Sequence, residues 1–336
     1  MNNTPVFIMP VKITGEEADL RFFRTSVDSI KRQTDDKWLL VMVEDFSNDE
    51  RVYKVIDEMK KELKDKLHVI YSDNNYGTGS ARNKGVLYAS EIGAPFILYN
   101  DSDDISDPRR LELVRKAFES DETVNVVYTS FDVIDENDNL TLVDKIALPV
   151  REIIDGHKKD AVEGENAWIN IAIKKKYTNL TSCTAVRTSL AVQELFPVAS
   201  VSEDCHTWLR YAAHPGKFVF LREIKGKYRI CSGTQSRSRS NNKDFYEKLF
   251  LMDSDGFEQA VKTAKKYGTM GGRDEYDIRT GFYVRLALNL LNGGLVELCK
   301  KSLDVSLNIS KERTFFYIDN LPCDFECKDK MKSMVL

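Results

Sequence analysis

Apolar side chains recur along the first third of the chain in two alternating rhythms. Val6 to Met9 form a short apolar run ended by Pro10, and Leu39 to Val43 and Phe96 to Tyr99 form two more; Leu67, Val69 and Tyr71 alternate with polar neighbours, and Val124 to Thr129 closes the series. Short runs and strict alternation of this kind predict strands. Between them the spacing changes to three and four residues: Phe23, Val27 and Ile30; Val52, Val55, Ile56, Met59 and Leu63; Ala81, Tyr88, Ala89 and Ile92; Leu111, Val114 and Phe118. Such stripes predict helices with one buried face. Asp107 followed by Pro108 predicts the cap and first residue of the last of these helices. Strands alternating with helices predict an α/β fold, a Rossmann-like, doubly wound and mostly parallel sheet. Sheets of this type bind ligands beyond the carboxyl ends of their strands. The chemistry is therefore sought just after Met9, Val43, Tyr71 and Tyr99.

From Phe131 the rhythm changes. Phe131 to Ile134 and Leu140 to Val143 flank Glu136-Asn137-Asp138-Asn139 and predict a hairpin. Val150 to Lys176 shows no clear period. Thr181 to Arg187 reads as a strand, Glu203 to Ala213 as a helix capped by Ser202 and closed by Pro215-Gly216, and Phe218 to Leu221 as a short strand. Ser232 to Lys243 reads as a loop, and from Phe245 to about Ile309 the pattern is helical. The chain divides into an α/β domain over residues 1–243 and a helical C-terminal extension over 244–336.

Polar residues crowd the expected strand ends. Asp101, Asp103 and Asp104 follow Tyr99, and carboxylates this close repel one another unless a cation or hydrogen bonds offset their charge. Mg²⁺ or Mn²⁺ suits an all-oxygen set shared with substrate phosphates; an acidic turn leading into a helix is the plainer alternative. Glu44-Asp45-Phe46-Ser47-Asn48-Asp49 follows Val43, either as acceptors for base and ribose groups or as a turn with an N-cap. Gly77 to Gly85 joins a glycine-rich turn to a helix start that carries Arg82, which suits a phosphate or a base carbonyl. A dinucleotide fingerprint is a poor match, because Arg82 stands where the third glycine belongs. Asp204, Trp208 and Tyr211 share one face of the expected 203–213 helix. They suit a general base beside aromatic side chains, or else a dipole-matched carboxylate above a core pair. His206 reads as structural.

A formal net charge of −4 gives no support for nucleic-acid binding, and 42% hydrophobic with 30% charged residues is ordinary for a globular protein. No run reaches the roughly 18 to 20 apolar residues of a membrane span, and Met1 to Pro10 lacks the pattern of a signal peptide. The expected location is the cytoplasm, with contact at the inner face of the membrane as a peripheral option. The six scattered cysteines lack zinc-site spacing and read as free thiols.

Taken together, these segments resemble the GT-A fold, family 2 glycosyltransferases. Pro10-Val11 sits where that family has its Ile-Pro-Val-Tyr-Asn start. Val43 to Asp49 is similar to its Val-Asp-Asp-Gly-Ser-Thr-Asp, Ala81-Arg82-Asn83-Lys84-Gly85 to its Ala-Arg-Asn-x-Gly, and Asp101-Ser102-Asp103 to its Asp-x-Asp metal motif. Glu203-Asp204 with Trp208-Leu209-Arg210 is similar to its Glu-Asp-x-x-x-Trp-Leu-Arg helix, and Tyr228-Arg229 with Ser232 to its Tyr-Arg-x-His-x-x-Ser loop. The resemblance spans roughly residues 4 to 240 and implies an inverting, metal-dependent glycosyltransferase whose catalytic domain is the 1–243 segment. Pro10, Val11, Glu44, Asp45, Arg82, Asp101, Ser102 and Asp103 are the implied nucleotide-sugar contacts, with Asp45 favoured over Glu44 for the base. Asp101 and Asp103 are the implied ligands of Mn²⁺ or Mg²⁺, Asp204 the base, and Glu203 and Trp208 the acceptor contacts. The chain departs from the family at Glu44, Phe46 and Cys231, which stand where members have Asp, Gly and often His, and at Lys12-Ile13 in place of Tyr-Asn. The Cys231 side of the site is expected to be altered, or to be filled by Arg237 or Arg239. The implied donor is a nucleotide sugar, with UDP favoured; the acceptor is a hydroxyl of a glycan or lipid-linked molecule in cell-surface polysaccharide synthesis. The extension is assigned to core packing, a homodimer or membrane contact. A sugar nucleotidyltransferase and a non-catalytic binding protein on the same fold are the competing classes.

Overall fold

The apolar runs of the first third become the parallel half of a seven-stranded sheet in the computed structural model, which describes residues 4–142, 145–174, 178–199, 201–231 and 243–335. The strands are β1 (Val6–Val11), β2 (Leu39–Glu44), β3 (Leu67–Tyr71), β4 (Phe96–Tyr99), β5 (Val124–Ile134), β6 (Thr184–Arg187) and β7 (Lys217–Arg229), in the order β3-β2-β1-β4-β6-β5-β7. β1 is buried along its whole length because both faces are covered. Val6 and Ile8 face one layer with Val41, Val43 and Ile97, while Phe7 and Met9 face the other with Leu40, Met42 and Leu98.

Helices α1 (Glu17–Lys31), α2 (Glu50–Leu63) and α4 (Arg110–Ser120) cover the second of these faces, and α3 (Thr78–Glu91) covers the first. The doubly wound, mostly parallel expectation is met, with one exception at β6. That strand runs antiparallel to β4 and to β5. α3 approaches β1 so closely that a Cβ at Gly85 would come within 2.5 Å of Ile8 Cγ2, so the glycine of the Ala-Arg-Asn-x-Gly segment is a packing requirement. Pro10 does not end β1, which continues to Val11. β4 pairs only as far as Ile8, and Pro10, like Ile8, faces that side, so its missing N–H leaves no ladder bond unmade.

Several boundaries depart from expectation. α4 begins at Arg110, two residues after Pro108, and Asp107, which accepts from the Arg109 amide at 2.9 Å, closes the turn that leads into it. Phe131 to Ile134 belongs to β5. The turn at Asp135–Asn139 forms, with Asp138 at φ 65°, but among the described residues its return arm is a single bridge, Ile134 to Leu140, on the edge of β5 opposite β7; Val143 lies outside the described residues. β7 runs past Leu221 because the lysines that broke its apolar pattern point outward. Its register against β5 jumps at Thr129/Ser130. Thr181–Cys183 is a 3-10 turn that leads into β6.

α5 (Leu148–Lys159) and α6 (Ala167–Ile173) fill the stretch without clear period, and α7 (Thr188–Ala191) and α8 (Glu203–Ala213) follow β6. α9 (Lys243–Tyr267), α10 (Glu275–Asn292), α11 (Val296–Ile309), α12 (Lys311–Asp319) and α13 (Phe325–Ser333) form the extension. One hydrophobic cluster runs from Ile8 and Tyr99 in the sheet through Trp208 in α8 to Phe257 and Phe282 in the extension. Among the described residues no helix is long and apolar enough to cross a membrane.

Candidate active site

The carboxyl ends of β1, β2 and β4 open on a cleft of about 660 Å³. Pro10 and Val11 line it from the end of β1, Asp45 from the end of β2, Arg82 from α3, and Asp101, Ser102 and Asp103 from the end of β4. Glu203 closes it from the first turn of α8, and Cys231 lies on its wall just past β7.

Asp45 is buried, and backbone amides satisfy its carboxylate. Gly77 donates at 2.8 Å and Tyr76 at 3.1 Å. The carboxylate thus ties the tip of β2 to the entry of α3, where Gly77 adopts φ 87°, a conformation that costs other residues. Glu44 does not line the cleft; it is buried and its carboxylate accepts from the Ser47 amide, closing its own loop. Phe46 stands where the family has glycine and keeps the left-handed backbone, φ 62°, that glycine favours.

The Ala-Arg-Asn-x-Gly segment divides its labour. The buried Arg82 guanidinium donates to both oxygens of Asp101, at 2.8 and 3.1 Å, and lies 3.5 Å from Glu203. Burial works to lower its pKa, but the charges of Asp101 and Glu203 outweigh it and hold it above the ordinary value. Asn83 donates to the Phe196 carbonyl and accepts from its amide, both at 2.8 Å. That pair brings the segment before α8 against α3, and a Cβ at Gly79 would lie 3.0 Å from the Pro197 carbonyl.

After β4, the acidic residues separate in role. Asp101, paired with Arg82, and Asp103 face the cleft, whereas Asp104 turns away from it, buried, and accepts from the Arg229 amide at 2.9 Å. Burial, then the neighbouring charges of Asp103 and Asp101, raises the Asp104 pKa well above the carboxylate range. Burial, with the Asp101 charge added, pushes Asp103 up to about 6. Sequence reasoning missed the clamp on this loop. Arg229 donates from Nε to the Asp103 carbonyl at 2.9 Å and from Nη1 to the Asp135 carbonyl at 2.8 Å, and it lies 4.2 Å over the Phe22 ring. Its only sequence signal was its place in the Tyr-Arg loop motif.

Asp101 and Asp103 offer oxygen donors, and the single charge of Arg82, shared between Asp101 and Glu203, leaves an excess of negative charge that a divalent cation relieves. Among the described residues no cluster of three or more His, Cys, Asp or Glu side chains is arranged to hold a metal. The two carboxylates therefore fit an ion whose remaining ligands come from water and substrate phosphate, as Mg²⁺-type sites commonly do.

On α8, Glu203 faces Arg82, and burial with the adjacent Asp204 charge raises its pKa. Asp204, the expected base, does not itself line the cleft; it is half-buried and accepts from the Cys205 amide at 2.7 Å. Trp208 is 1% exposed and packs among Tyr99, Phe196 and Tyr211, in the core behind the cleft. Ser202 does not cap α8. It adopts φ 57°, and its hydroxyl bonds elsewhere. Burial raises the thiol pKa of Cys231. The expected loop from Ser232 to Lys243, including Arg237 and Arg239, lies outside the described residues save for Lys243, which begins α9.

Residues 10–178 match the family model described as Glycosyl transferase family 2. An uncharacterized glycosyltransferase of Methanocaldococcus jannaschii is 25% identical over 227 residues, 67% of this chain and 72% of that protein. The UDP-Glc:alpha-D-GlcNAc-diphosphoundecaprenol beta-1,3-glucosyltransferase of Escherichia coli is 27% identical over 124 residues, 37% of this chain and 45% of its own length. Among solved structures, S. aureus TarS 1–349 aligns with a TM-score of 0.64 at 18% identity, covering 98% of this chain and 88% of that one. The same TarS fragment has been solved with UDP and with UDP-GlcNAc. A mannosyltransferase from Pyrobaculum calidifontis, solved with GDP-Man and Mn²⁺, aligns with a TM-score of 0.51 at 12% identity, covering 100% and 86%. These likenesses establish the GT-A fold.

Proposed function

This chain belongs to glycosyl transferase family 2, and we propose that it moves a sugar, with inversion, from a UDP-sugar to a hydroxyl of a glycan or lipid-linked acceptor in cell-surface polysaccharide synthesis. The observation that carries the reading is the convergence of Asp45, Arg82, Asp101, Asp103 and Glu203 on one cleft. The UDP ligands of TarS and the UDP-Glc donor in the name of the E. coli relative support the choice of nucleotide. The Mn²⁺ in the P. calidifontis structure supports a divalent cation.

In this mechanism Pro10, Val11 and Asp45 seat the nucleoside. Arg82 is placed to shift part of its pairing from Asp101 to the donor's diphosphate. Asp101 and Asp103 would hold the cation, and Ser102, between them in the chain, lines the same cleft and would contact the donor. When bound, the cation neutralises charge on the departing diphosphate. Glu203 is engaged with Arg82, so proton abstraction falls to Asp204. It takes the proton of the acceptor hydroxyl as that oxygen bonds to the anomeric carbon and the bond to the nucleoside diphosphate breaks. Such base assistance contributes about 10²- to 10⁴-fold.

The reading is tested by measuring nucleoside diphosphate released from UDP- and GDP-sugars with Mn²⁺ or Mg²⁺. UDP release from a UDP-sugar that stops on chelation and returns with added Mn²⁺ is the expected outcome. Asp204→Asn should lower turnover by about 10²- to 10⁴-fold while UDP still binds. Near-full turnover by that variant removes Asp204 as the base, and release of pyrophosphate instead of UDP removes the glycosyltransferase mechanism.

A further inference from the structure

We propose that helix α9 of the extension is a working part of the active site. Asp253 acting through Ser202, and Asp255 acting through His206, are positioning residues that set where the first turn of α8 stands, with Glu203 on the cleft wall and Asp204 next to it in the chain. The inference rests on the assignment of that acidic pair given above.

The residue that enters α8 is held from outside its own helix. Ser202 is not glycine, yet it adopts the left-handed conformation, φ 57°, and makes no side-chain capping bond to α8. A residue in that region persists where its surroundings over-determine it. Here the Ser202 hydroxyl donates to Asp253 Oδ1 at 2.7 Å, across 51 positions of sequence, and Asp253 is buried. One turn into α8, His206 Nε2 lies 2.9 Å from Asp255 Oδ2. His206 Nδ1 accepts from Arg210 Nε at 3.0 Å, so in the neutral ring the proton sits on Nε2 and points at Asp255. Arg210 in turn donates to Glu194 at 2.7 Å, and Glu194 accepts from His214 at 2.8 Å.

The two helices also meet without a spacer. A Cβ at Gly256 would lie 2.8 Å from His206 Cδ2 and 3.1 Å from its Cα. Glycine at 256 is therefore what lets α9 reach the backbone of α8. On the opposite side, α8 is held through Glu203 and Arg82. The first turn of α8 thus stands between Arg82 on one side and two aspartates supplied by the extension on the other. A general base displaced by about 1 Å loses on the order of 10²-fold in rate while the donor still binds.

The test compares wild type, Asp253→Ala, Asp253→Asn and Gly256→Ala in steady-state UDP release with varied donor and acceptor. Thermal unfolding and UDP binding are measured on the same preparations. Asn keeps an oxygen that accepts from Ser202, so Asp253→Asn should stay within about threefold of wild type. Asp253→Ala and Gly256→Ala should lower kcat by about 10- to 100-fold with donor KM and UDP affinity within about threefold. Should Asp253→Ala fail to fold, Ser202→Ala removes the same bond from its other end and is judged by the same split. A folded Asp253→Ala or Ser202→Ala with wild-type kcat overturns the inference, as does a fall in kcat matched by an equal loss of UDP binding. If wild-type protein releases no nucleoside diphosphate from any donor, it is the glycosyltransferase mechanism that fails.

Discussion

The two halves of the sheet build their walls of the cleft by different means. On the β1–β4 side, the acidic side chains directly follow parallel strands, Arg82 comes from the helix after β3, and short contacts fix them: Asp45 to the amides of Tyr76 and Gly77, Asp101 to Arg82. On the β5–β7 side, the strands are mixed in direction and shifted in register. There the acidic pair rides on a helix whose entry residue is tied to Asp253, far along the chain. A strand tip is a rigid mount that needs little help. A helix packed on a mixed sheet has to be located by its neighbours, and the extension supplies them.

Arg82 joins the two walls, and its removal has the largest expected effect. Arg82→Met removes the buried guanidinium and leaves the partly buried carboxylates of Asp101 and Glu203 with no cation between them. Breaking a buried pair from one side costs about 3–5 kcal/mol, and losing a preorganised charge costs about 10²- to 10³-fold in kcat. Urea unfolding and UDP release measure the two quantities. A stability loss below about 1 kcal/mol would mean that the walls are held together elsewhere.

Gly85→Ala strikes only the nucleotide wall. The new methyl meets Ile8 in the middle of β1, and overpacking of this kind destabilises by about 1–3 kcal/mol. Comparison with Gly256→Ala sharpens the contrast. The Gly85 variant is expected to lose stability and donor affinity together, since α3 carries Arg82, whereas the Gly256 variant is expected to lose kcat with donor affinity retained. The same pattern in both variants would erase the distinction between the walls.

This asymmetry also governs what could be read from sequence. The parallel strands and their acidic tips were legible because strand, tip residue and following helix lie next to one another in the chain. Asp45, Arg82, Asp101, Ser102 and Asp103 all reach the cleft. Gly77 and Gly85 were visible as glycines, but only packing distinguishes the turn at 77 from the close approach at 85. Legibility failed where meaning depends on a distant partner. Arg229 looked like one residue of a loop motif and is a clamp on the Asp103 backbone. Ser202 looked like an N-cap and is a tether to α9. Trp208 shared a helical face with Asp204 on a sequence wheel, yet it is enclosed by Tyr99 and Phe196, because the face of α8 that meets the sheet is the one that carries it. β6 read as a strand with no direction, since alternation does not encode whether a strand returns or crosses over.

The smallest effect expected is a pH dependence confined to the α8–α9 joint. Burial holds the His206 pKa below its ordinary value, against the pull of Asp255 and Asp253 on α9 and together with the repulsion of Arg210 on its own helix. Below pH ~6.5 the unfolded chain takes up a proton there that the folded chain refuses until its lower pKa is reached. Stability should therefore be flat with respect to this residue above pH ~6.5 and fall as pH drops through that window. The slope is at most about 1.4 kcal/mol per pH unit, the value for one proton. Protonating Nδ1 would also end its acceptance from Arg210, so the same step loosens the joint. Urea unfolding of wild type and His206→Gln at pH 7.5, 6.5 and 5.5 isolates the effect by difference: the wild-type curve should drop more steeply between the two lower values. Parallel curves would show that His206 titrates alike in both states, and that its bonds to α9 and Arg210 do not hold it neutral.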